Sequence, residues 1–301
     1  MGQLYYLIFP WAAGGNLRDF WKRRDKAPRT QDLVLWSLEQ FFGLIDAVWA
    51  VHEVSILHGD IGPHNILHFT DPGTRGYGRR GTLVLAGFAC SEYDRSLVGS
   101  RNADTTALLA KFDPYYETPE AEDDCKNGKS RSQSYDMWCT GCLLLDHIIW
   151  LLYGFDAVET FRKRRTSYRR NPPDLLDRVD FKQVTKFFAN TEVHPQVHKA
   201  LSHLSQDPRC GDGTALGDVL DLIDHRLLRI EAKQRVIAQE LQSQILEIVI
   251  KARGEPSYLF KDFPADAPRT IPEFFLQSPP LERDAPLQPP KFSHPSQPSY
   301  P

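Results

Sequence analysis

His58-Gly59-Asp60-Ile61-Gly62-Pro63-His64-Asn65-Ile66-Leu67 is the most informative segment of this chain. An Asp is followed five residues later by an Asn, on a loop between two apolar runs. A loop that short lets a proton-accepting carboxylate and an oxygen-bearing carboxamide face one reacting group.

Size and composition bound the rest. At 301 residues the chain can bury one large core or two modest ones. Its 41% hydrophobic and 25% charged content is ordinary for a soluble globular protein. A formal net charge of -3 argues against bulk affinity for nucleic acid. Five cysteines, an odd count without close pairs, make no disulfide framework and point to a reduced, intracellular protein, cytoplasmic or nuclear. Cys139-Thr140-Gly141-Cys142 has the C-x-x-C form, but no second pair follows at zinc spacing. The N-terminus has no basic region and no small-residue cleavage site, so no signal peptide is read there. The most apolar run, Met137 to Leu152, is short for a membrane span and contains Asp146 and His147. It reads as a buried core helix, and no membrane contact is expected.

Along the chain, Leu4 to Phe9 reads as a short strand stopped by Pro10. Asn16 caps a helix through Trp21, and Thr30 caps a dense helical pattern from Leu33 to Val51. Ile66 to Phe69 and Thr82 to Leu85 read as two strands around a Gly- and Arg-rich loop. Gly87 to Glu120 has little periodicity and reads as an extended excursion. Helices are predicted over Asp136 to Tyr153, Pro195 to Ser205, Leu216 to Leu228 and Ala232 to Ala252. From Gly254 onward come twelve of the 22 prolines and few aliphatics. Residues 1–252 are therefore expected to form one domain and 253–301 a disordered tail. Its Pro279-Pro280 and Pro289-Pro290 pairs suit an SH3- or WW-type groove.

With the loop placed, the chain from about Leu4 to Ala252 resembles the C-terminal lobe of a eukaryotic-type protein kinase. The loop is similar to the kinase catalytic loop H-R-D-L-x-x-x-N, in which the Asp accepts the hydroxyl proton and the Asn holds Mg²⁺. The resemblance makes Asp60 the base and Asn65 the metal ligand. Leu7-Ile8-Phe9-Pro10-Trp11-Ala12-Ala13-Gly14-Gly15-Asn16-Leu17 looks like the last N-lobe strand, the hinge and the next helix start. That implies Phe9 as gatekeeper, Ala12 as a backbone donor to adenine and Leu67 as pocket floor. Thr118-Pro119-Glu120 resembles the A-P-E that closes the activation segment. Tyr135-Asp136-Met137-Trp138-Cys139-Thr140-Gly141-Cys142 looks like the D-x-W-S-x-G-C helix start, whose Asp anchors the catalytic loop. The stretch from Leu227 to Leu241 resembles the late D-P-x-x-R segment, implying that Arg235 pairs with Glu120. The fold expected is α+β and mainly α-helical: a kinase-like C-lobe with a short hinge strand and small β hairpins.

The departures bear on function, since phosphoryl transfer is mostly positioning and charge neutralisation. The resemblance begins at the last N-lobe strand, so the Gly-rich loop and the V-A-I-K lysine have no counterpart. Gly87-Phe88-Ala89 stands where D-F-G belongs, and glycine offers no side-chain oxygen to Mg²⁺. Gly62 replaces a lysine that contacts the transferred phosphate, and Gly59 replaces the arginine of H-R-D. ATP and Mg²⁺ are the cofactors the family implies, but little of their site remains. Three readings follow. The first is a pseudokinase-like module that binds protein partners. The second is an active protein serine/threonine kinase whose N-lobe is missing from this chain, with Glu92 or Asp94 as substitute metal ligands. The third is an aminoglycoside- or choline-kinase-like phosphotransferase, because those families read H-G-D-x-x-x-x-N. Thr118-Pro119-Glu120, Asp136 and Arg235 favour the protein-kinase side. The basic run Arg162 to Arg170 reads as a solvated helix face and its following loop.

Overall fold

Local capping sets the first helices. Asn16 accepts a hydrogen bond from the Asp19 N–H at 2.9 Å, and Asp19 reaches back to the Asn16 N–H. This capping box starts α1 (Leu17–Arg23). Thr30 accepts from the Leu33 N–H at 3.3 Å and starts α2 (Gln31–Glu53). Both caps are those the sequence predicts. The structure is a computed structural model and describes residues 8–25, 29–70, 80–93, 114–121, 124, 127, 131–170, 181–189, 191–259 and 271–276.

The described strands form antiparallel pairs. They are β1 (Ile56–Leu57) with β4 (Glu92–Tyr93), and β2 (Ile66–Phe69) with β3 (Thr82–Leu85). Further on, β5 (Thr166–Arg170) pairs with β6 (Phe181–Thr185), and β7 (Phe188–Ala189) with β8 (Glu192–Val193). In β2 and β3 the register runs from Ile66 opposite Leu85 to Phe69 opposite Thr82. That register brings the end of the Asp60 loop beside Ala86 and Gly87. Alternate residues Ile66, His68, Leu83 and Leu85 are buried. Gln40 accepts from the Leu83 N–H at 2.8 Å, and the Trp36 indole donates to the Gly81 carbonyl at 2.9 Å. The hairpin is thereby docked on α2.

Every residue from Tyr135 to Tyr153 of α3 (Ser134–Tyr153) is buried, as a helix apolar on all sides requires. Against it pack α2 and α4 (Phe155–Arg164); α5 (Pro195–Ser205) packs on α4 and on α6 (Ala215–Leu222), and α7 (Ala238–Gly254) packs on α2 and α6. Among the described helices, α2 is long and apolar enough to cross a membrane by length and composition. Here it lies along α7 and β3, with Ser37, Gln40 and His52 buried. The protein is α+β and mainly helical, as expected.

Several sequence expectations are corrected. Residues 4–7 of the hinge strand lie outside the described residues, and Ile8, Phe9 and Pro10 are exposed and in no strand. Pro10 has no N–H to give a ladder. The helix over Leu216 to Leu228 stops at Leu222 and widens into a π turn at Ile223–Leu227. There Leu227 and Leu228 settle against Gly141 of α3. The helix over Ala232 to Ala252 is broken: a 3₁₀ turn at Ala232–Gln234 gives way to extended backbone at Arg235 before α7. The basic run is no solvated face throughout, because Arg165 is 1% exposed and Thr166–Arg170 is a strand. Of the excursion from Gly87 to Glu120, residues 94–113 lie outside the described residues. In the tail, two segments are folded onto the body: α8 (Pro256–Leu259), with Tyr258 and Leu259 buried, and α9 (Glu273–Leu276), with Phe275 buried. Aromatic anchors in each offset the ordering cost that the Pro-rich composition otherwise leaves unmet.

Candidate active site

The Asp60 loop is built from its backbone outward. Asp136, in the first turn of α3, has no exposed surface. Its Oδ2 accepts from the His58 N–H at 2.7 Å and its Oδ1 from the Gly59 N–H at 2.8 Å. His52 Nε2 lies 2.9 Å from Oδ2. A carboxylate only accepts, so His52 carries its proton on Nε2 and donates. The expected anchoring of the loop by Asp136 is therefore present. On the other side, Arg131 donates to the Gly59 carbonyl at 3.3 Å. His58, fully buried as expected, has Nε2 2.8 Å from the Ala86 carbonyl and Nδ1 3.3 Å from the Asp60 N–H. Nε2 therefore donates and Nδ1 accepts, which ties the loop to the strand end before Gly87.

Asp60 and Asn65 are brought together. The Asn65 Nδ2 donates to the Asp60 carbonyl and to Asp60 Oδ2, both at 2.7 Å. His64 Nε2 stands 3.3 Å from the same Oδ2. The Asn65 backbone is pinned on both sides: its N–H donates to Gly62 at 3.0 Å, and its carbonyl accepts from Ala86 at 2.8 Å.

The glycines at three positions of the loop and the following turn are sterically placed. Gly87 has φ 82° and ψ 39°, and a Cβ there would overlap the Asn65 side chain. Gly59 has φ 77°, and a Cβ there would stand 2.7 Å from the Cys90 carbonyl oxygen. Neither position takes a larger residue without movement of the loop. At Gly62 a Cβ would meet His64 Cε1 at 2.9 Å and Tyr116 Cδ2 at 3.2 Å, so a lysine there needs the exposed His64 ring to turn and the buried Tyr116 ring to give.

Phe9, Ala12 and Leu67, the residues expected to hold ATP, differ in their burial. Leu67 is half-buried and bridges to Asn16, and Ala12 is half-buried with its carbonyl accepting from Gly15 at 2.9 Å. Phe9 is 76% exposed and stands outside the core. Against the Asn65 side chain stands Gly87, which offers no side-chain oxygen to Mg²⁺, and among the described residues no group of three His, Cys, Asp or Glu converges. Glu92 is half-buried in β4, and Asp94 lies outside the described residues.

A cavity of about 370 Å³ opens on the other side of the loop, lined among others by Pro63, His64, Tyr116, Asp146, Glu159 and Arg162. Its floor is unusual. The Asp146 carboxylate is buried in α3, and Tyr116 donates to its Oδ2 at 2.8 Å. Arg165 comes no closer than 4.0 Å. Burial pushes the Asp146 carboxyl up to about 6, against the pull of Arg165 and the two tyrosines. The Arg165 guanidinium is held between the Phe161 and Phe187 rings, 3.7 and 3.9 Å from their centroids, and also bonds the Tyr115 hydroxyl. Sequence reasoning missed this cluster. Its one signal was a pair of titratable residues, Asp146 and His147, inside the most apolar run.

Glu120 and Arg235 meet as expected, in a bidentate pair at 2.6 and 2.7 Å. The same guanidinium donates to the Ser134, Arg229 and Ile230 carbonyls and lies 5.0 Å from the Trp138 ring.

Comparison with known proteins gives a distant likeness of the same kind. The chain is 23% identical over 147 residues to the "Probable serine/threonine-protein kinase fhkD" of Dictyostelium discoideum. The match covers 46% of this chain and 18% of that relative's length. No family model matches the chain. Its relationship to protein kinases is thus kinase-like and remote.

Proposed function

We propose that this chain is a protein-kinase-like C-lobe that acts as a pseudokinase-type binding module for a protein partner. One observation carries this reading: beside the paired Asp60 and Asn65 side chains stands Gly87, which has no carboxylate and no room for one, since a Cβ there would overlap Asn65. Phosphoryl transfer needs a second oxygen ligand opposite Asn65 to hold the metal on the nucleotide. Loss of one transition-state contact typically costs about 10²–10³ in rate, and here the metal ligand and the lysine at the Gly62 position are lost together. The loop then serves as a rigid scaffold, held by Asp136, for surfaces around the cavity at His64 and Glu159. The protein is intracellular in this reading, cytoplasmic or nuclear, and its Pro-rich end is a second docking element for an SH3- or WW-type domain. The test is nucleotide binding and phosphate transfer by the purified chain. No Mg²⁺-ATP-dependent rise in melting temperature and no transfer to a generic protein substrate are expected. Transfer that disappears in Asp60→Asn would overturn the reading.

A second reading has its own observation. Ile8, Phe9 and Trp11 are 94%, 76% and 89% exposed, and Val84 and Phe88 are exposed too. So much apolar surface supports a covering polypeptide, and hence a serine/threonine kinase whose N-lobe is supplied from outside this chain. Phe9, Ala12, Leu67 and Asn65 would then hold ATP and Mg²⁺. Mg²⁺-dependent nucleotide binding that appears only with an added N-lobe polypeptide is its test.

A further inference from the structure

The segment Ile271–Leu276 sits on the body of the protein at a place that the proposed function does not use. It is joined to α8 by residues 260–270, and its only described secondary structure is the four-residue helix α9. A helix that short does not persist alone in water, so its shape is imposed by what it touches. Phe275 is 1% exposed and enters a groove between the end of α3, α4 and α5. Its ring lies 4.9 Å from Tyr153, 6.4 Å from Phe161 and 6.3 Å from His203. Phe274 stacks on the His203 imidazole at 5.1 Å and 27°. Arg164 grips the same residue twice: its guanidinium lies 4.6 Å from the Phe274 ring, and its Nε donates to the Phe274 carbonyl at 2.6 Å. Glu273, exposed, precedes the pair near this basic end of α4.

This is how a groove recognises a short linear peptide. Two aromatic anchors fill it, one cation reads a ring face and a carbonyl, and no strand or helix is shared with the body. We propose that the Tyr153–Phe161–Arg164–His203 groove is a docking site for peptides of the form acidic-aromatic-aromatic. In this proposal the chain's own Glu273-Phe274-Phe275 is its resident ligand, displaceable by a protein partner that carries the same motif. The tether gives the resident segment a high effective concentration, so a partner competes only when it binds well or is itself abundant. The groove lies on α4, whose Glu159 and Arg162 line the cavity beside His64, so partner docking falls next to the proposed binding surface.

The test uses the full chain. Hydrogen exchange is followed at residues 271–276 and at α4, with and without a labelled synthetic peptide of residues 269–278. Amides of 271–276 are expected to exchange at least about 100-fold faster than those of α4, which means the segment opens without global unfolding. Saturating peptide is expected to speed that exchange further. In a full-length Phe274→Ala/Phe275→Ala variant, the peptide is expected to bind with its own Phe275 required. Alanine there should weaken binding by about 30-fold or more. Exchange of 271–276 only at the global unfolding rate would overturn the proposal. So would a folded double variant, checked by its melting curve, that fails to bind the peptide.

Discussion

The loop anchor makes the sharpest prediction. Asp136 receives the His58 N–H, the Gly59 N–H and the His52 imidazole in a fully buried site. Hydrogen bonds to a charged group contribute about 1.5–3 kcal/mol each, and a buried donor left unpaired costs about 1–3 kcal/mol. In Asp136→Asn the amide oxygen can keep His58 and His52, but its NH₂ then faces the Gly59 N–H. One bond is lost and two are weakened, for a destabilisation of about 2–3 kcal/mol. In Asp136→Ala all three donors are stranded, and the summed cost of about 3–9 kcal/mol reaches the whole stability of an ordinary domain, about 5–15 kcal/mol. Urea unfolding followed by tryptophan fluorescence reads both variants, since Trp138 is buried beside the anchor. Amide exchange should quicken at His58 and Gly59 in the Asn variant before it quickens in α2. An Asp136→Asn protein within about 0.5 kcal/mol of the parent, with those amides still protected, would mean that Asp136 does not anchor the loop; changes that small are typical of plain surface sites.

Four further outcomes follow. Gly87→Asp should destabilise by about 1–3 kcal/mol, because its Cβ displaces Asn65 at a positive φ; a variant as stable as the parent that melts higher with Mg²⁺ would contradict this. Breaking the Glu120–Arg235 pair with Arg235→Met should cost about 3–5 kcal/mol, since Glu120 loses its partner and three carbonyls lose their donor; a loss under about 1 kcal/mol by urea melt would contradict this. Burial holds the His147 imidazole down at about 3 while in the unfolded chain it titrates near 6.5. Its contribution is therefore present above about 6.5 and is lost as pH falls, about 2 kcal/mol by pH 5, whereas Asp146, raised to about 6, works the other way between about 4 and 6. Acid should thus lower the urea midpoint of the parent and lower that of Asp146→Asn more steeply; equal slopes would refute the assignment. Burial also pushes the Cys139, Cys142 and Cys210 thiols well up, so they should resist a thiol reagent in the native state while half-buried Cys90 reacts, as counted by mass spectrometry.

Short-range chemistry is the part of this protein that can be read from the chain alone. Asn16 and Thr30 could be named as caps because a cap uses residues within one turn. The central helix was legible because an all-apolar run has one stable place, inside. Asp60 and Asn65 fell on one loop by spacing alone, and family order paired Asp136 with the loop and Glu120 with Arg235. Tertiary structure decided the rest. That Gly87 abuts the Asn65 side chain follows from the β2–β3 hairpin, which brings together residues far apart in the chain. The break at Arg235 follows from the distant Glu120, which outweighs a helical propensity that is worth only tenths of a kcal/mol per residue. Arg165 reads as surface in a run of basic residues, and only the Phe161, Phe187 and Tyr115 rings around it make it core. Phe274 and Phe275 sit in a Pro-rich stretch that composition marks as disordered; a groove supplied by three helices gives those two rings a place to bury, and that gain is invisible until the helices are assembled.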